Sequence, residues 1–339
     1  MTKRFVIYFL SLLWIATSCE RQIAYEGVVT PELLVLQSEV SAGDTIIKAY
    51  VSRSRFFLDD ETYNVNRYLM SDADTRMQRN SGEWVSMTWL NYSKAFEVHL
   101  DTPLQQGDTI RLLASHPSYN PISAEQIVVP KPNYNIWFYN NTQKTLYQNA
   151  QSHYIELVLM LDKYLKTDSV MLGISVGCRY FLSYKSRNRT YKTYGTTTYF
   201  GSTDSLFASV PNNLTGDLGY STRYELFCTP QSKDSVFVTL KIPYSYPNRD
   251  SIENAELRVE EMVVSVNAHS LDSYLFRRSM YLGRDYSRNG DFDLVAGLND
   301  MIGSEEDVQV YSNIDGGYGI FAACSRNKRV LKNIRTVTK

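Results

Sequence analysis

The sequence predicts a mainly β protein with two domains and a single helix near residues 270–283. Three observations carry that expectation. Period-two alternation recurs: the apolar side chains of Phe96-Glu97-Val98-His99-Leu100 share one face, as do Val236, Val238, Leu240 and Ile242 later, which is the pattern of half-buried strands. The chain holds 26 Tyr together with many Val, Ile and Thr, a composition that suits a pleated sheet better than a helix. Helical spacing stands out in one place: Leu271, Tyr274, Leu275, Tyr281 and Leu282 follow a capping Ser270, with Asp272 in the first turn and Gly283 as a stop.

The chain opens on Lys3 and Arg4, then an apolar run from Phe5 to Ile15, then Ala16, Thr17 and Ser18 before Cys19. That order is a secretion signal spanning residues 1–18. The run is shorter than the ~20 apolar residues a spanning helix needs. A Cys directly after small residues reads as a lipobox, so Cys19 is expected to carry acyl chains that anchor the protein at ~0.8 kcal/mol per buried CH₂. Residues 19–30 then form a tether. Taking Lys3 and Arg4 from the 35 basic residues leaves 33 against 36 acidic ones, a net charge of −3. Nucleic acid as partner is excluded, because phosphate binding needs a marked basic field.

The first domain is placed at 31–130 and the second at 131–330, with a tail at 331–339. Strands are expected at 33–37, 45–52, 84–90, 109–115, 154–161, 170–176, 191–200, 256–268, 308–312 and 319–324. Gly43-Asp44-Thr45-Ile46 recurs as Gly107-Asp108-Thr109-Ile110, each read as a turn that leads into a strand. Pro121, Pro130 and Pro132 break the chain near the boundary. Gly316-Gly317-Tyr318-Gly319 is read as a tight hairpin rather than a phosphate cradle, since an apolar strand follows it and not a helix. Cys178, Cys228 and Cys324 are taken as small buried apolar residues, with one disulfide as the alternative.

Several stretches together resemble a known family: Cys19-Glu20 with Glu26-Gly27-Val28-Val29-Thr30, the run Val51 to Phe57, the strand and helix over 256–283, and the closing segment from Val308 to Phe321. They are similar to the domain-of-unknown-function family 4249, envelope lipoproteins of Bacteroidota-type bacteria. The resemblance implies an immunoglobulin-like β-sandwich at the N-terminus, a second mainly β domain, and the company of TonB-dependent outer-membrane receptors. It implies no catalytic residues. Residues 58–95 fit it least, with Tyr63 to Arg79 polar and poorly patterned.

Candidate chemistry is sparse. Asp285, Ser287, Asn289, Asp291 and Asp293 place oxygens at alternate positions with Gly290 at the sixth, as a calcium loop does. Ala296 stands where the bidentate Glu belongs and Arg288 adds positive charge, so a solvated turn is the reading and calcium the alternative. His99, His116, His153 and His269 are scattered without metal spacing and are read as structural or exposed. The sequence is read as carrying no nucleophile elbow, and no His-Glu-x-x-His pair occurs. Neither an enzyme nor a cofactor is expected. Tyr184, Arg187, Arg189, Tyr191 and Tyr194 interleave aromatic and basic side chains and are the preferred place for a partner contact. An Asp followed by Ser or Thr and an apolar residue occurs at Thr45, Thr109, Ser169, Ser205, Ser235 and Ser251. It looks like the O-glycosylation sequon of Bacteroidota-type bacteria, although turn-to-strand junctions also produce it.

The functional expectation is a non-enzymatic accessory lipoprotein of the outer membrane that works beside a TonB-dependent transporter. A structural or adhesive surface lipoprotein is the alternative. Nothing in the sequence chooses between the periplasmic and cell-surface faces.

Overall fold

The computed structural model describes residues 31–54, 68–147, 150–161, 170–186, 189–207, 214–216, 219–222, 225–229, 235–245, 252–288 and 310–334. Among them the chain is mainly β with one long helix, α1 (Leu271–Arg288). Eight strands come first: β1 (Leu34–Val40), β2 (Ile46–Arg53), β3 (Asp74–Arg79), β4 (Trp84–Ser86), β5 (Thr88–Leu90), β6 (Ala95–His99), β7 (Thr109–His116) and β8 (Tyr119–Ile127). They lie in two antiparallel layers, β1-β2-β6-β5 and β4-β3-β7-β8. That strand order is the immunoglobulin one, with the first, second, fifth and fourth strands of the key facing the third, sixth and seventh. Leu34, Leu36, Ile47, Ala49 and Val51 meet Met77, Ile110, Leu112 and Ala114 in its core.

The two Gly-Asp-Thr-Ile copies are the same turn. Gly43 and Gly107 both have positive φ, +97° and +87°. Asp44 and Asp108 each accept the backbone N–H three residues back, from Ser41 at 2.8 Å and Gln105 at 2.7 Å. The polar stretch expected to be irregular contains β3, whose Thr75 and Met77 point inward while Asp74 and Arg76 face solvent. Thr and Met are weak apolar signals, which is why that alternation is faint in the sequence.

The second half adds β9 (Tyr134–Tyr147), β10 (Ala150–Leu161), β11 (Val170–Ser186), β12 (Arg189–Thr197), β13 (Phe200–Ser202), β14 (Leu214–Gly216), β15 (Gly219–Thr222), β16 (Leu226–Cys228), β17 (Ser235–Ser245), β18 (Ile252–Ser270) and β19 (Tyr318–Ile334). Residues 128–133, with Pro130 and Pro132, run from the first sandwich into β9. The chain then returns: β19 pairs parallel with β1 and antiparallel with β18. A nine-stranded sheet results, β12-β11-β18-β19-β1-β2-β6-β5, with β16 also on β11. A six-stranded sheet, β14-β15-β13-β17-β10-β9, completes the second sandwich.

Register fixes which face is which. Leu36, Ser38 and Val40 align with Gly319, Phe321 and Ala323, Ser325 aligns with Ala268, and Ala268, Val266 and Val264 align with Leu172, Ile174 and Val176. One face of the long sheet is therefore mainly apolar, with Ser38 and Ser325 buried on it, and both smaller sheets share a core with it. The opposite face carries α1.

Three expectations are corrected by this topology. The glycine run at 316–319 bends into a parallel strand and forms no hairpin. Gly319, at φ +116°, passes so close to β1 that a Cβ would lie 2.0 Å from the Leu36 carbonyl oxygen, a spacing open to glycine alone. Residues 310–312, expected in a strand, form none. Instead Asn313 imitates a strand partner: its Nδ2 donates to the Phe321 carbonyl at 2.8 Å and its Oδ1 accepts the Phe321 N–H at 3.0 Å. The stretch read as a tail is in part strand, since Leu331, Lys332 and Ile334 pair with β18. The three cysteines are free and buried, as expected.

Candidate functional site: the groove beneath the helix

The helix begins as its sequence dictates. Ser270 Oγ accepts the Ser273 N–H at 3.3 Å and the Ala323 N–H at 3.3 Å, so one hydroxyl caps α1 and ties it to β19. Asp272, in the first turn, accepts hydrogen bonds from Gln126 Nε2 and from the Tyr311 hydroxyl. Burial, with Asp272 adding to it, pushes the Tyr311 phenol up to about 12. The helix passes Gly283 and continues to Arg288, because glycine weakens a helix by only ~1 kcal/mol and does not end it. Among its described side chains Ser273, Tyr274 and Ser279 are buried, while Leu271 is exposed.

The serines are buried because the sheet beneath them is polar. His269, the penultimate residue of β18, is 0% exposed. Its Nδ1 lies 3.0 Å from Ser273 Oγ and its Nε2 3.3 Å from Glu225 Oε1. Asn267 Nδ2 donates to the same Glu225 oxygen. Arg277, one turn further along α1, reaches Glu225 Oε2 at 3.5 Å and Glu39 Oε2 at 3.3 Å, and Arg326 also donates to Glu39. Phe227, Tyr274 and Met171 form a small apolar cluster around these groups. Room for the pair comes from β11: a Cβ on Gly173 would stand 2.8 Å from His269 Nε2 and 2.9 Å from Glu225 Oε1.

The charges of the Ser273–His269–Glu225 chain follow from its surroundings. Burial alone would lower the imidazole, but its hydrogen bonds to Cys324 and Glu225, with the electrostatic contribution of both, outweigh it and raise His269 to about 9. Burial likewise opposes ionisation of Glu225, and His269, Arg277 and Asn267 overcome it, bringing the carboxyl to about 2. At neutral pH the ring is therefore a cation with both nitrogens protonated. A protonated ring would have no lone pair with which to take a proton from Ser273.

Beside the cluster the roof ends and a groove of about 490 Å³ opens between α1 and the outer face of β1, β2 and β19. Phe276, Met280, Ile320 and Tyr50 give it an apolar wall, and Glu39 and Arg277 stand at its rim. An apolar lining with few placed polar groups is the usual character of a binding site, and the volume falls in the ordinary ~300–1,000 Å³ range.

The family model described as Domain of unknown function (DUF4249) matches residues 20–329, which takes in both sandwiches, α1 and most of β19. The chain belongs to that family. No curated protein matches the chain. The DUF4249 match starts at the residue after Cys19, which itself lies outside the described residues.

Within this DUF4249 chain the expected contact residues are divided by the sheet. Tyr184 pairs with Tyr191 and Phe181 with Tyr194 in one continuous register, so Tyr191 and Tyr194 point to opposite faces. Tyr184 is buried on the core side and stacks on Tyr191 at 5.2 Å. Arg189 shares the face of Tyr191. Tyr194 packs on the outer face against Phe181 at 5.0 Å, with Arg258 over the same Phe181 ring. Arg187 lies outside the described residues. The four described residues form no single platform, because odd spacing along a strand separates faces.

The stretch read as a solvated turn, with calcium as the alternative, begins inside the helix. Residues 285–288 continue α1, while Asn289, Asp291 and Asp293 lie outside the described residues. Of the sequons, Thr45 is exposed before β2, Thr109 opens β7, Ser205 is exposed at the start of a short 3-10 helix, and Ser235 opens β17. Ser169 and Ser251 lie outside the described residues. His99 is exposed, and His116 Nε2 lies 3.2 Å from Asp72; the His153 side chain is outside the described set.

The nucleophile-elbow reading also needs correcting. Gly173-Ile174-Ser175-Val176-Gly177 does spell Gly-x-Ser-x-Gly. The segment lies inside β11, with Ser175 opposite Ser265, and not on the strand-to-helix turn that exposes a nucleophile. Sequence reasoning missed the His269 cluster because its members come from β1, β18, β19, α1 and the residue before β16. The one local hint was Gly173 inside an otherwise apolar strand, a sign of close approach by another group.

Proposed function

We propose that the chain is a lipid-anchored envelope protein, tethered to the outer membrane through Cys19, that acts as a non-enzymatic accessory or binding subunit beside a TonB-dependent transporter. The observation that supports the non-enzymatic part is the geometry at His269: its ring is buried, 3.3 Å from Glu225 Oε1, in a pairing that favours the charged imidazole. What adjoins it is an open apolar groove, a feature suited to contact and not to proton transfer. The anchor reading rests on the order Lys3-Arg4, apolar run, small residues, Cys19. Among the described residues no helix is long and apolar enough to cross a membrane.

Two measurements test it. Acyl labelling should mark the wild-type protein and leave Cys19→Ala unlabelled. Purification of the tagged full chain from cross-linked, detergent-solubilised membranes should bring down a large β-barrel protein. Its reproducible absence would favour a structural or adhesive lipoprotein without a transport partner.

A further inference from the structure

We propose that the free edge of β9 pairs with β9 of a second copy of this chain, making a symmetric dimer through a continuous sheet. A strand edge offers a row of backbone donors and acceptors to any other strand, and proteins usually protect such edges by shortness, charge or proline. The described edges of this molecule follow that rule except at one place. β4, β5, β14 and β16 are three residues long. β8 carries Pro121 and Glu125. β12 carries Arg189 and Lys192, whose like charges would repel their counterparts in a second copy. β9 closes the six-stranded sheet, is 14 residues long, and has no charged residue from Tyr134 to Gln143.

The side chains at this edge are those an added strand would cover. Trp137 is 64% exposed on the outer face, in one rung with Val158 and Phe237. Phe138 aligns with the buried Leu157 and so belongs to the inner face, yet it is 50% exposed because nothing described lies beyond it. A strand laid along β9 would extend both faces at once and cover both rings. Aromatic side chains bury ~150–250 Å² each, so these two contribute roughly 200 Å² toward the ~800 Å² per partner of a stable interface, and the rest comes from the long strand edge. The uncharged stretch Tyr134–Gln143, running antiparallel to itself and leaving Lys144 beyond the paired segment, meets no like charge and satisfies both copies identically, which is the requirement of an isologous contact. That self-complementarity singles out a second copy over a different protein.

Sedimentation velocity of the purified full chain should show a dimer whose fraction rises from about 1 µM to about 100 µM, the range of ordinary protein affinities. Trp137→Lys should lower the association constant at least tenfold and leave the melting temperature and circular dichroism unchanged. Asn135→Lys, a milder change on the same exposed face, should do the same, while Tyr191→Lys on β12 should have no effect. A chain that stays monomeric throughout, or a dimer indifferent to both β9 lysines, would overturn the proposal.

Discussion

Gly173→Ala is the sharpest perturbation of the charge cluster. The added methyl would stand 2.8 Å from His269 Nε2 and 2.9 Å from Glu225 Oε1, where ordinary contacts begin near 3.5 Å. His269 is 0% exposed, with Phe227 against it at 5.6 Å, so the ring cannot yield on its far side. The pair must separate beyond its present 3.3 Å. Overpacking costs about 1–3 kcal/mol, and a weakened charged hydrogen bond a further ~1.5–3 kcal/mol, which places the loss at about 3 kcal/mol. For a chain of this size that corresponds to a fall of roughly 6–12 °C in melting temperature, read by calorimetry. Gly177→Ala is the control on the same strand, since its Cβ would meet only Thr197 O and Thr198 at 3.3 Å and should cost less than ~1 kcal/mol. Equal melting temperatures for the two variants would refute the argument that β11 uses Gly173 to make room for the ion pair.

Three further outcomes are expected. The folded protein holds the charged His269 at about 9 against an ordinary 6.5, so this contribution is complete below pH 6.5 and is lost as pH rises through 9; urea midpoints should fall by about 1.4 kcal/mol per pH unit across that window. Glu225→Gln should flatten that slope and cost about 3–5 kcal/mol by leaving a buried cation without its partner, and an unchanged slope would contradict the assignment. Tyr134 donates to the Val264 carbonyl at 2.8 Å and also contacts the Asn327 carbonyl at 3.2 Å, so Tyr134→Phe should cost ~1 kcal/mol in denaturant unfolding and leave the association of the chain untouched. If the sequons are used, intact mass of the native protein should exceed that of cytoplasmically made chain lacking residues 1–18 by more than the lipid; identical polypeptide masses after lipid removal would exclude glycosylation.

What the sequence made legible was local. Strand alternation at Phe96–Leu100 and Val236–Ile242, the cap at Ser270 and the paired glycine turns at 43 and 107 each depend on neighbours within a few residues. The parallel return of β19 onto β1 was hidden because register between distant strands leaves no local mark, except at Gly319, whose close approach to Leu36 was read as a hairpin. Faces, too, require register: Tyr191 and Tyr194 look adjacent in sequence and are separated by the sheet. The charge cluster was the least visible, since Glu225, His269, Arg277, Glu39 and Arg326 are brought together only by five different elements. Buried serines on α1 made its apolar stripe misleading, for Leu271 faces solvent where Ser273 does not.

The central claim is that the groove beside α1 faces a membrane transporter while Cys19 holds the protein in place. A photo-reactive amino acid at Tyr50, on the groove wall, tests it directly in intact cells, with Val85 on exposed β4 as the control position. The account predicts an adduct between position 50 and a large β-barrel protein that is absent from position 85 and lost when Cys19→Ala releases the chain. No adduct at position 50, or one of equal yield at position 85, would contradict it.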